Sequence, residues 1–248
     1  MVPWPHAPRT PWRPNFPEIM AQAGYREMTS HFLYRSAKDG IGSQSALALV
    51  LGLMADDAVA AIAKAISGTR PLVVAVHAEE ASGRNRIPLA YAEILARLLR
   101  LETDPEIVQA TVANHTNAPS IFHRLVSPPL FSGPVRPGVD YLIVDDTCTA
   151  GGTLANLKGF IEANGGRVVA ASVVALAQPS RRCDIGLDAV TLRRLERRHP
   201  GLSRYWNEAF GYGTDCLTEG EAGHLLRASS VDWIRDRLAA ARRDLDVS

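Results

Sequence analysis

Residues 141–153 read YLIVDDTCTAGGT, and this stretch decides the fold. It begins with four apolar residues, a continuous run that is typical of a strand buried on both faces of a parallel sheet. Two adjacent carboxylates, Asp145 and Asp146, follow at the carboxyl end of this strand. A small polar loop comes next, and apolar residues then recur at helical spacing as far as the glycine pair at 165–166. The pattern predicts a strand, an acidic pair, a glycine-containing turn and a helix.

The polar loop has the composition of an anion site. Backbone N–H groups in such a turn and at the helix amino end lack partners, so they can bind a phosphate. Gly151 and Gly152 allow the main chain to come close, and Thr149 and Thr153 add hydroxyl donors. Carboxylates beside a phosphate site repel it, so the acidic pair is expected to accept from the vicinal hydroxyls of a ribose. The stretch therefore predicts a site for a sugar 5-phosphate.

This segment resembles the phosphoribosyl-pyrophosphate (PRPP) motif of the type I phosphoribosyltransferases. The resemblance covers these 13 residues closely and extends in layout from about residue 70 to 178, but not to the first 40 or the last 70 residues. It implies an enzyme that transfers 5-phosphoribosyl from PRPP to a nitrogenous base and releases pyrophosphate, with Mg²⁺ as cofactor. The plainer interpretation is a strand that ends in solvated aspartates before an ordinary turn. A motif in its predicted strand–loop–helix context favours the first.

The resemblance assigns roles to the motif residue by residue. Asp145 and Asp146 are expected to bind the ribose hydroxyls and the metal, directly or through metal-bound water. The loop that is expected to bind PRPP continues with Thr147, Cys148, Thr149, Ala150, Gly151, Gly152 and Thr153. Enzymes for 6-oxopurines have an aspartate at the position of Thr149, as a proton partner for the base. Threonine cannot serve in that way, which counts against a hypoxanthine or guanine acceptor.

A second loop is expected to bind pyrophosphate. In the resembling family it follows the first strand of the sheet, which here points to residues 78–86. Its donors are Arg84, Asn85 and Arg86, which suit a multiply charged leaving group. Two glutamates in the same loop would repel pyrophosphate unless they face magnesium, an arginine or solvent. The alternative is a solvated turn with an incidental Arg-Asn-Arg sequence.

The connection at residues 113–139 is long and contains several prolines, and a loop of this length in a compact domain is usually functional or mobile. It lies where the family often has a flexible catalytic lid. His115, His123 and Arg124 are expected to close over the pyrophosphate, with Arg124 in the catalytic group. Ordinary surface residues on a long loop are the equal alternative.

Alternating strands and helices predict an α/β fold with a doubly wound, mostly parallel sheet. We expect a proline-rich arm at 1–42, with a possible strand of the hood, the variable segment through which the resembling family recognises its acceptor base. A phosphoribosyltransferase-like core is expected at 43–179 and a helical C-terminal subdomain at 180–248. The arm is either disordered or packed on its own domain or a partner, and either flank could supply the hood over the base. The predicted strands lie at 26–35, 71–77, 106–112, 141–144 and 167–177, and the predicted helices at 46–67, 88–100 and 154–164.

Composition sets the remaining expectations. The chain has 248 residues, 46% hydrophobic and 21% charged, with a net charge of +1, which is ordinary for a globular protein and gives no bias toward nucleic acid. Arginine pairs between 181 and 198 are expected to be a solvated helix face rather than a nucleic-acid surface. Three widely spaced cysteines predict neither disulfides nor a zinc site.

No apolar run has membrane-spanning length and no signal peptide is visible at the proline-rich start, so we expect no membrane partner and a cytoplasmic location. We also expect a homodimer. Two other functions stay open: a regulatory protein that binds PRPP without transfer, and a subunit of a larger defence or mobile-element assembly.

Overall fold

The computed structural model describes residues 7–40, 43–77, 85–110 and 120–246. Its strands are β1 (Ile19–Gly24), β2 (Leu72–Ala75), β3 (Val108–Gln109), β4 (Phe131–Ser132), β5 (Asp140–Cys148), β6 (Arg167–Leu176) and β7 (Arg182–Cys183). Its helices are α1 (Tyr25–Ser30), α2 (Tyr34–Lys38), α3 (Ser43–Leu53), α4 (Asp56–Ala65), α5 (Ile87–Leu99), α6 (Ile121–Val126), α7 (Gly152–Ala163), α8 (Ala189–Arg198), α9 (Leu202–Phe210), α10 (Glu219–Leu226) and α11 (Val231–Asp246), with a short 3-10 helix at Thr214–Cys216.

A five-stranded sheet in the order β2-β5-β6-β1-β7 forms the centre of the molecule. β2, β5, β6 and β1 are parallel, and β7 runs antiparallel to β1 at one edge. β5 lies inside the sheet, with Ile143 opposite Val74 on one side and Ala171 on the other. The predicted α/β fold with a mostly parallel sheet is confirmed. The sheet brings the carboxyl ends of β2 and β5 to one edge, where ligands bind in open α/β folds.

Apolar side chains cover both faces of this sheet. Leu142 and Val144 pack in a core with α3 and α5, whereas Tyr141 and Ile143 pack in a second core with α7. Alternation along one strand produces this division, because successive side chains point to opposite faces. The uninterrupted apolar run of β5 is therefore explained by burial on both sides.

The N-terminal region differs from its prediction. Residues 26–35, expected as a strand, are helical in α1 and α2, and the strand of this region is β1, which lies between β6 and β7. The backbone N–H of Gly24 donates to the Glu27 carboxylate at 3.3 Å, and the Thr29 hydroxyl donates to the Tyr25 carbonyl at 2.9 Å. These local bonds favour a helix start and a helical turn over an extended chain.

The helix predicted at 46–67 is two helices, α3 and α4, that meet at 89°. The second begins with Asp56 and Asp57, acidic residues that favour the positive end of a helix, and the Gln22 side chain accepts from the Ala55 backbone N–H at 3.1 Å. Within the described ranges, no single helix has the length and apolar character to cross a membrane. The bent pair α3–α4 meets that test jointly on length and composition.

Of the strand predicted at 106–112, residues 111 and 112 lie outside the described residues, and the described part contains β3, which pairs with β4 in a separate two-stranded sheet. Residues 113–139, expected to lack regular structure, contain α6 and β4, while His115 lies outside the described residues. A third core joins Phe122 and Leu125 of α6 to Trp206 and the other helices of the last 60 residues. The helical character of the C-terminal region is as expected, and the division into domains at 42 and 179 stays a prediction.

Candidate functional site

A cleft of about 630 Å³ opens at the carboxyl ends of β2 and β5. The motif residues 145–154 form its floor, and Lys38, Asn85 and Arg124 line its walls. Tyr25 and Tyr34 from α1 and α2 line the rim. The structure therefore brings the acidic pair, the polar loop and residues of both predicted flanking loops to the same cavity.

The Asp146 carboxylate accepts hydrogen bonds from three side chains in this cleft. The Lys38 ammonium and the Asn85 amide each donate to Asp146 Oδ2 at 2.6 Å, and the Thr147 hydroxyl donates to Oδ1 at 2.8 Å. Burial disfavours the charged carboxylate, but the Lys38 charge and these hydrogen bonds outweigh it and lower the pKa of Asp146. Asp146 is therefore an anion that can accept hydrogen bonds at neutral pH.

Asp145 has the opposite electrostatic character. Its carboxyl is buried, and burial followed by the negative charge of Asp146 raises its pKa well above the ordinary value. Its Oδ1 accepts from the Asp146 backbone N–H at 2.7 Å, which fixes the side chain next to the main chain. Two adjacent carboxyls in one cleft thus differ in their affinity for a proton, a difference that often marks functional sites.

The motif strand is longer than the sequence predicts. β5 continues to Cys148, with Asp145 paired to Val173 and Cys148 paired to Leu176 of β6. After it, Gly151 adopts φ +84°, a left-handed conformation that glycine takes without strain, and begins α7. The first backbone N–H groups of α7 face no preceding helical carbonyl, so this turn has the geometry of an anion site.

Arg124 reaches the motif from α6. Its guanidinium donates to the Thr149 hydroxyl at 2.8 Å. The helix that carries it is packed in the C-terminal core, and the neighbouring His123 contacts Asp244 of α11 at 3.0 Å. The expected catalytic arginine thus lies beside the motif, on a packed helix within the segment that was expected to be a lid.

The predicted pyrophosphate residues have different positions. Asn85 lines the cleft and contacts Asp146, whereas Arg84 lies outside the described residues. Arg86 immediately precedes α5, where its backbone N–H donates to the Ala37 carbonyl at 3.3 Å. Its buried Nε has no hydrogen-bond partner within the described ranges. The binding of pyrophosphate by these three residues stays a prediction.

Cys148 has the properties of a packing residue. A hydrogen bond with Cys183, followed by burial, raises the pKa of its thiol, so the reactive thiolate is disfavoured. Both cysteines line a smaller cavity of about 330 Å³ on the other side of Thr149, which His224 and Arg227 of the C-terminal region also line. The motif loop therefore has a cavity on each side.

Sequence reasoning missed four residues around the loop: Lys38, Arg9, Thr218 and Glu221. Lys38 is one of only three lysines among 27 basic residues, and this rarity is the one signal in the sequence that singles it out. Thr218 and Glu221 have the pattern of a capping box, which does not show that they lie beside the motif. Nothing local in the sequence shows which distant segments meet the loop.

The residues at the cleft are compatible with Mg²⁺. This ion is usually bound by one or two carboxylates together with substrate phosphates rather than by a dedicated cage of side chains. The acidic pair supplies two such carboxyls, and contact through water accommodates the Lys38 ammonium on Asp146. Among the described residues, no group of three or more His, Cys, Asp or Glu side chains is placed to bind a metal.

Two curated proteins are similar in sequence, while no family model matches. Protein TraN of Escherichia coli is 43% identical over 245 residues, which are 98% of this chain and 54% of that protein. An uncharacterized protein of Haemophilus influenzae is 40% identical over 153 residues, 62% of this chain and 34% of that protein. The chain spans about half the length of the first relative and a third of the second.

Solved structures with distant similarity include two adenine phosphoribosyltransferases and a UMP synthase. An adenine phosphoribosyltransferase is 14% identical, covers 52% of this chain and 74% of its own and has a TM-score of 0.33. The Rhodothermus marinus adenine phosphoribosyltransferase is 17% identical, with coverage of 52% and 83% and a TM-score of 0.32. Leishmania donovani UMP synthase is 13% identical, with coverage of 78% and 35% and a TM-score of 0.29. TM-scores this low assign no function to the chain, whose chemistry depends on the residues of the cleft.

Proposed function

We propose that this protein is a magnesium-dependent phosphoribosyltransferase of the type I family, with the doubly wound fold of that family. The observation that supports this most is the juxtaposition of Asp145 and Asp146 with the glycine turn at the amino end of α7 in one cleft. The turn offers N–H donors to a 5-phosphate, and the ionised Asp146 offers an acceptor to ribose hydroxyls. PRPP presents both groups on one molecule.

The residues of the cleft have separate tasks in this proposal. Residues 147–153 bind the 5-phosphate and orient the sugar, and Asp146 accepts from a ribose hydroxyl once the Lys38 ammonium moves aside. Asn85 lines the cleft and, with Arg84 and Arg86 of the same sequence stretch, is proposed to bind the pyrophosphate, which leaves C1 of the ribose as the base attacks. Positioning and charge stabilisation, rather than a protein nucleophile, supply the catalysis.

Asp145 and Asp146 would bind Mg²⁺ through water, together with the pyrophosphate oxygens. When bound, it neutralises charge on the leaving group.

The acceptor in this proposal is a nitrogenous base that binds at the rim of the cleft. Tyr25 and Tyr34 line this rim and offer flat apolar surfaces that suit a planar heterocycle. The α1–α2 segment therefore serves as the hood in this proposal. We further propose that the protein works as a homodimer in the cytoplasm.

Pyrophosphate release tests the proposal. The purified protein is incubated with PRPP, Mg²⁺ and a panel of purine, pyrimidine and pyridine bases, and we expect release with at least one base and none after chelation of the metal. Asp145→Asn with Asp146→Asn is expected to lower turnover by about a hundredfold or more, since charge stabilisation in the cleft is lost. Asp140→Asn, at the other end of the same strand, is the matched control and should retain turnover. Unchanged turnover in the double variant would refute the site assignment.

A PRPP-binding regulatory protein is the second candidate function. The Lys38 ammonium at 2.6 Å from Asp146 favours it, because this ion pair occupies the acceptor that a ribose hydroxyl needs. A sensor that closes on PRPP without transferring the sugar requires only that binding displaces Lys38. Calorimetric binding of PRPP with no pyrophosphate release across the whole base panel would support this function over transfer.

A further inference from the structure

The back of the motif loop is in contact with the C-terminal region. The Thr218 hydroxyl donates a hydrogen bond to the Ala150 carbonyl. Two residues later, Gly220 lies so close to Ala150 that an added Cβ would come within 2.9 Å of its backbone. Such an approach leaves the loop little room to move. The start of α10 is therefore packed directly against the main chain of the loop that is proposed to bind phosphate.

The N-terminal arm reaches the same place through Arg9. Its guanidinium donates to both carboxylate oxygens of Glu221, at 2.6 and 2.9 Å, and its Nε donates to Asn156 of α7 at 2.7 Å. The side chains of Arg9 and Glu221 are only 3% and 2% exposed. One buried arginine thus connects the arm, α7 and α10 behind the loop.

Glu221 raises an electrostatic problem for a phosphate site. Its Oε1 lies 2.6 Å from the position that a Cβ on Gly152 would occupy, and its side chain lines the cleft together with Gly152. A bare carboxylate at the amino end of α7 would repel a phosphate bound there. The bidentate salt bridge with Arg9 neutralises the charge of Glu221. Because both side chains are buried, loss of either partner would leave an unpaired buried charge, which is destabilising.

We propose that Arg9 is a positioning residue for the phosphate loop, and that Arg9, Glu221 and Thr218 form a clamp that fixes the loop and cancels the charge of Glu221 beneath it. The identity of the ligand rests on the proposed function. The clamp itself does not, because its effect on the loop is present without ligand. Arg9 from the N-terminal arm and Thr218 and Glu221 from the C-terminal region are in this way part of the site.

Two measurements test the clamp in the full-length protein. Amide hydrogen exchange over residues 149–153 reports the order of the loop without any ligand, and calorimetry with PRPP and Mg²⁺ reports affinity. The variants are Arg9→Met, Glu221→Gln and the two combined. Lys158→Met is the matched control, because Lys158 is also buried and connects the arm to α7 through Thr10, away from the loop.

Arg9→Met is expected to speed exchange in the loop and to weaken PRPP binding by about tenfold or more, since roughly 1.4 kcal/mol of repulsion corresponds to that factor. Adding Glu221→Gln is expected to restore most of the affinity, because the repelling charge is gone. Glu221→Gln alone removes the repelling charge but leaves buried Arg9 without its carboxylate. It should therefore speed loop exchange without the tenfold loss of PRPP affinity expected for Arg9→Met, which gives a test even where Arg9→Met does not fold. Lys158→Met should lower thermal stability and leave loop exchange and affinity unchanged.

Wild-type exchange rates in Arg9→Met would overturn the clamp. So would a combined variant that binds as weakly as Arg9→Met, because the loss would then not come from the charge of Glu221. Loss of affinity in Lys158→Met would show that the arm acts through stability alone. A wild-type protein that fails to bind PRPP would refute the proposed function, and the exchange measurement would still decide whether the clamp exists.

Discussion

At the scale of single residues, Asp145 and Asp146 are neighbours in one strand, yet their surroundings move their pKa values in opposite directions. Burial and the charge of its neighbour raise the pKa of Asp145, whereas Lys38 and three hydrogen bonds lower that of Asp146. One carboxyl is thus an anion ready to accept hydrogen bonds. The other binds its proton more tightly, until a cation or a ligand donor arrives.

Lys38→Met is expected to destabilise the protein by about 1 kcal/mol at pH 7, a modest value because the lysine side chain is 42% exposed and partly screened. A lowered carboxyl pKa stabilises the fold above the ordinary pKa, and this stabilisation is lost as pH falls through the lowered value. The difference in the free energy of unfolding between wild type and variant should therefore become smaller in acid. Urea unfolding from pH 7 to pH 3 measures it, with Lys64→Met, an exposed lysine of α4, as control.

Asp145→Asn is expected to stabilise the ligand-free protein at neutral pH. A raised carboxyl pKa means that the folded state binds more protons than the unfolded state above the ordinary pKa, so the wild type loses stability as pH rises from there to the raised value. Asparagine carries no such penalty and can still accept from the Asp146 N–H. Melting temperatures should diverge as pH rises from about 4. Asp39→Asn is the control. A difference in melting temperature that stays constant with pH, or that this control reproduces, would contradict the raised pKa of Asp145.

At the scale of elements, α7 is where the proposed phosphate site and the N-terminal arm meet. Gly159 in this helix allows the arm to pass, because an added Cβ would lie 2.0 Å from the Pro8 carbonyl oxygen and 2.6 Å from the Arg9 Cα. Lys158 secures the arm with a hydrogen bond of 2.7 Å to Thr10. From residue 7 onward, the described part of the arm packs on its own chain, which is one of the alternatives that the sequence left open.

Gly159→Ala is expected to destabilise the protein by about 1–3 kcal/mol, the usual cost of overpacking, because the methyl group must displace the backbone of the arm. Gly223→Ala in α10 is the matched control. Its Cβ meets nothing within 4 Å, so the better helix propensity of alanine should stabilise by about 0.5–1 kcal/mol. Denaturant unfolding of the two variants should give opposite signs. Equal effects would show that the arm does not press on α7.

The local sequence pattern was sufficient to predict some secondary-structure elements but not others. The apolar run of β5, the turn and α7 follow from contiguous residues, so their order was predictable. β1 was not, because a six-residue strand with a polar Gln22 gains its place only by pairing with β6, a contact 152 residues away between Met20 and Ser172. Lys38 and Arg9 join the site through equally distant contacts, which no local signal encodes.

At the scale of the whole molecule, the C-terminal helices are connected to the cleft at several points. α6 brings Arg124 to the motif and buries Phe122 in the core of these helices, and Thr218 and Glu221 contact the loop from behind. The sequence predicted a helical subdomain beside the sheet but not these contacts. The boundary at residue 179 remains a prediction that truncation can test.

A chain that ends at residue 179 is expected not to fold cooperatively, because Phe122, Leu125 and Val126 would lose the apolar partners that bury them. Binding of a hydrophobic dye and a broad thermal transition are the expected results. A truncated chain with a sharp transition and no dye binding would instead support an independent core.

The most direct test of the central claim is calorimetric titration of PRPP with Mg²⁺ into the wild-type protein and into the variant that combines Asp145→Asn with Asp146→Asn. The proposed site predicts saturable binding to the wild type with one PRPP per chain, and affinity at least about tenfold weaker in the variant, because charged hydrogen-bond acceptors for the ribose are lost. Absence of binding to the wild type, or equal affinity in the two proteins, would contradict it.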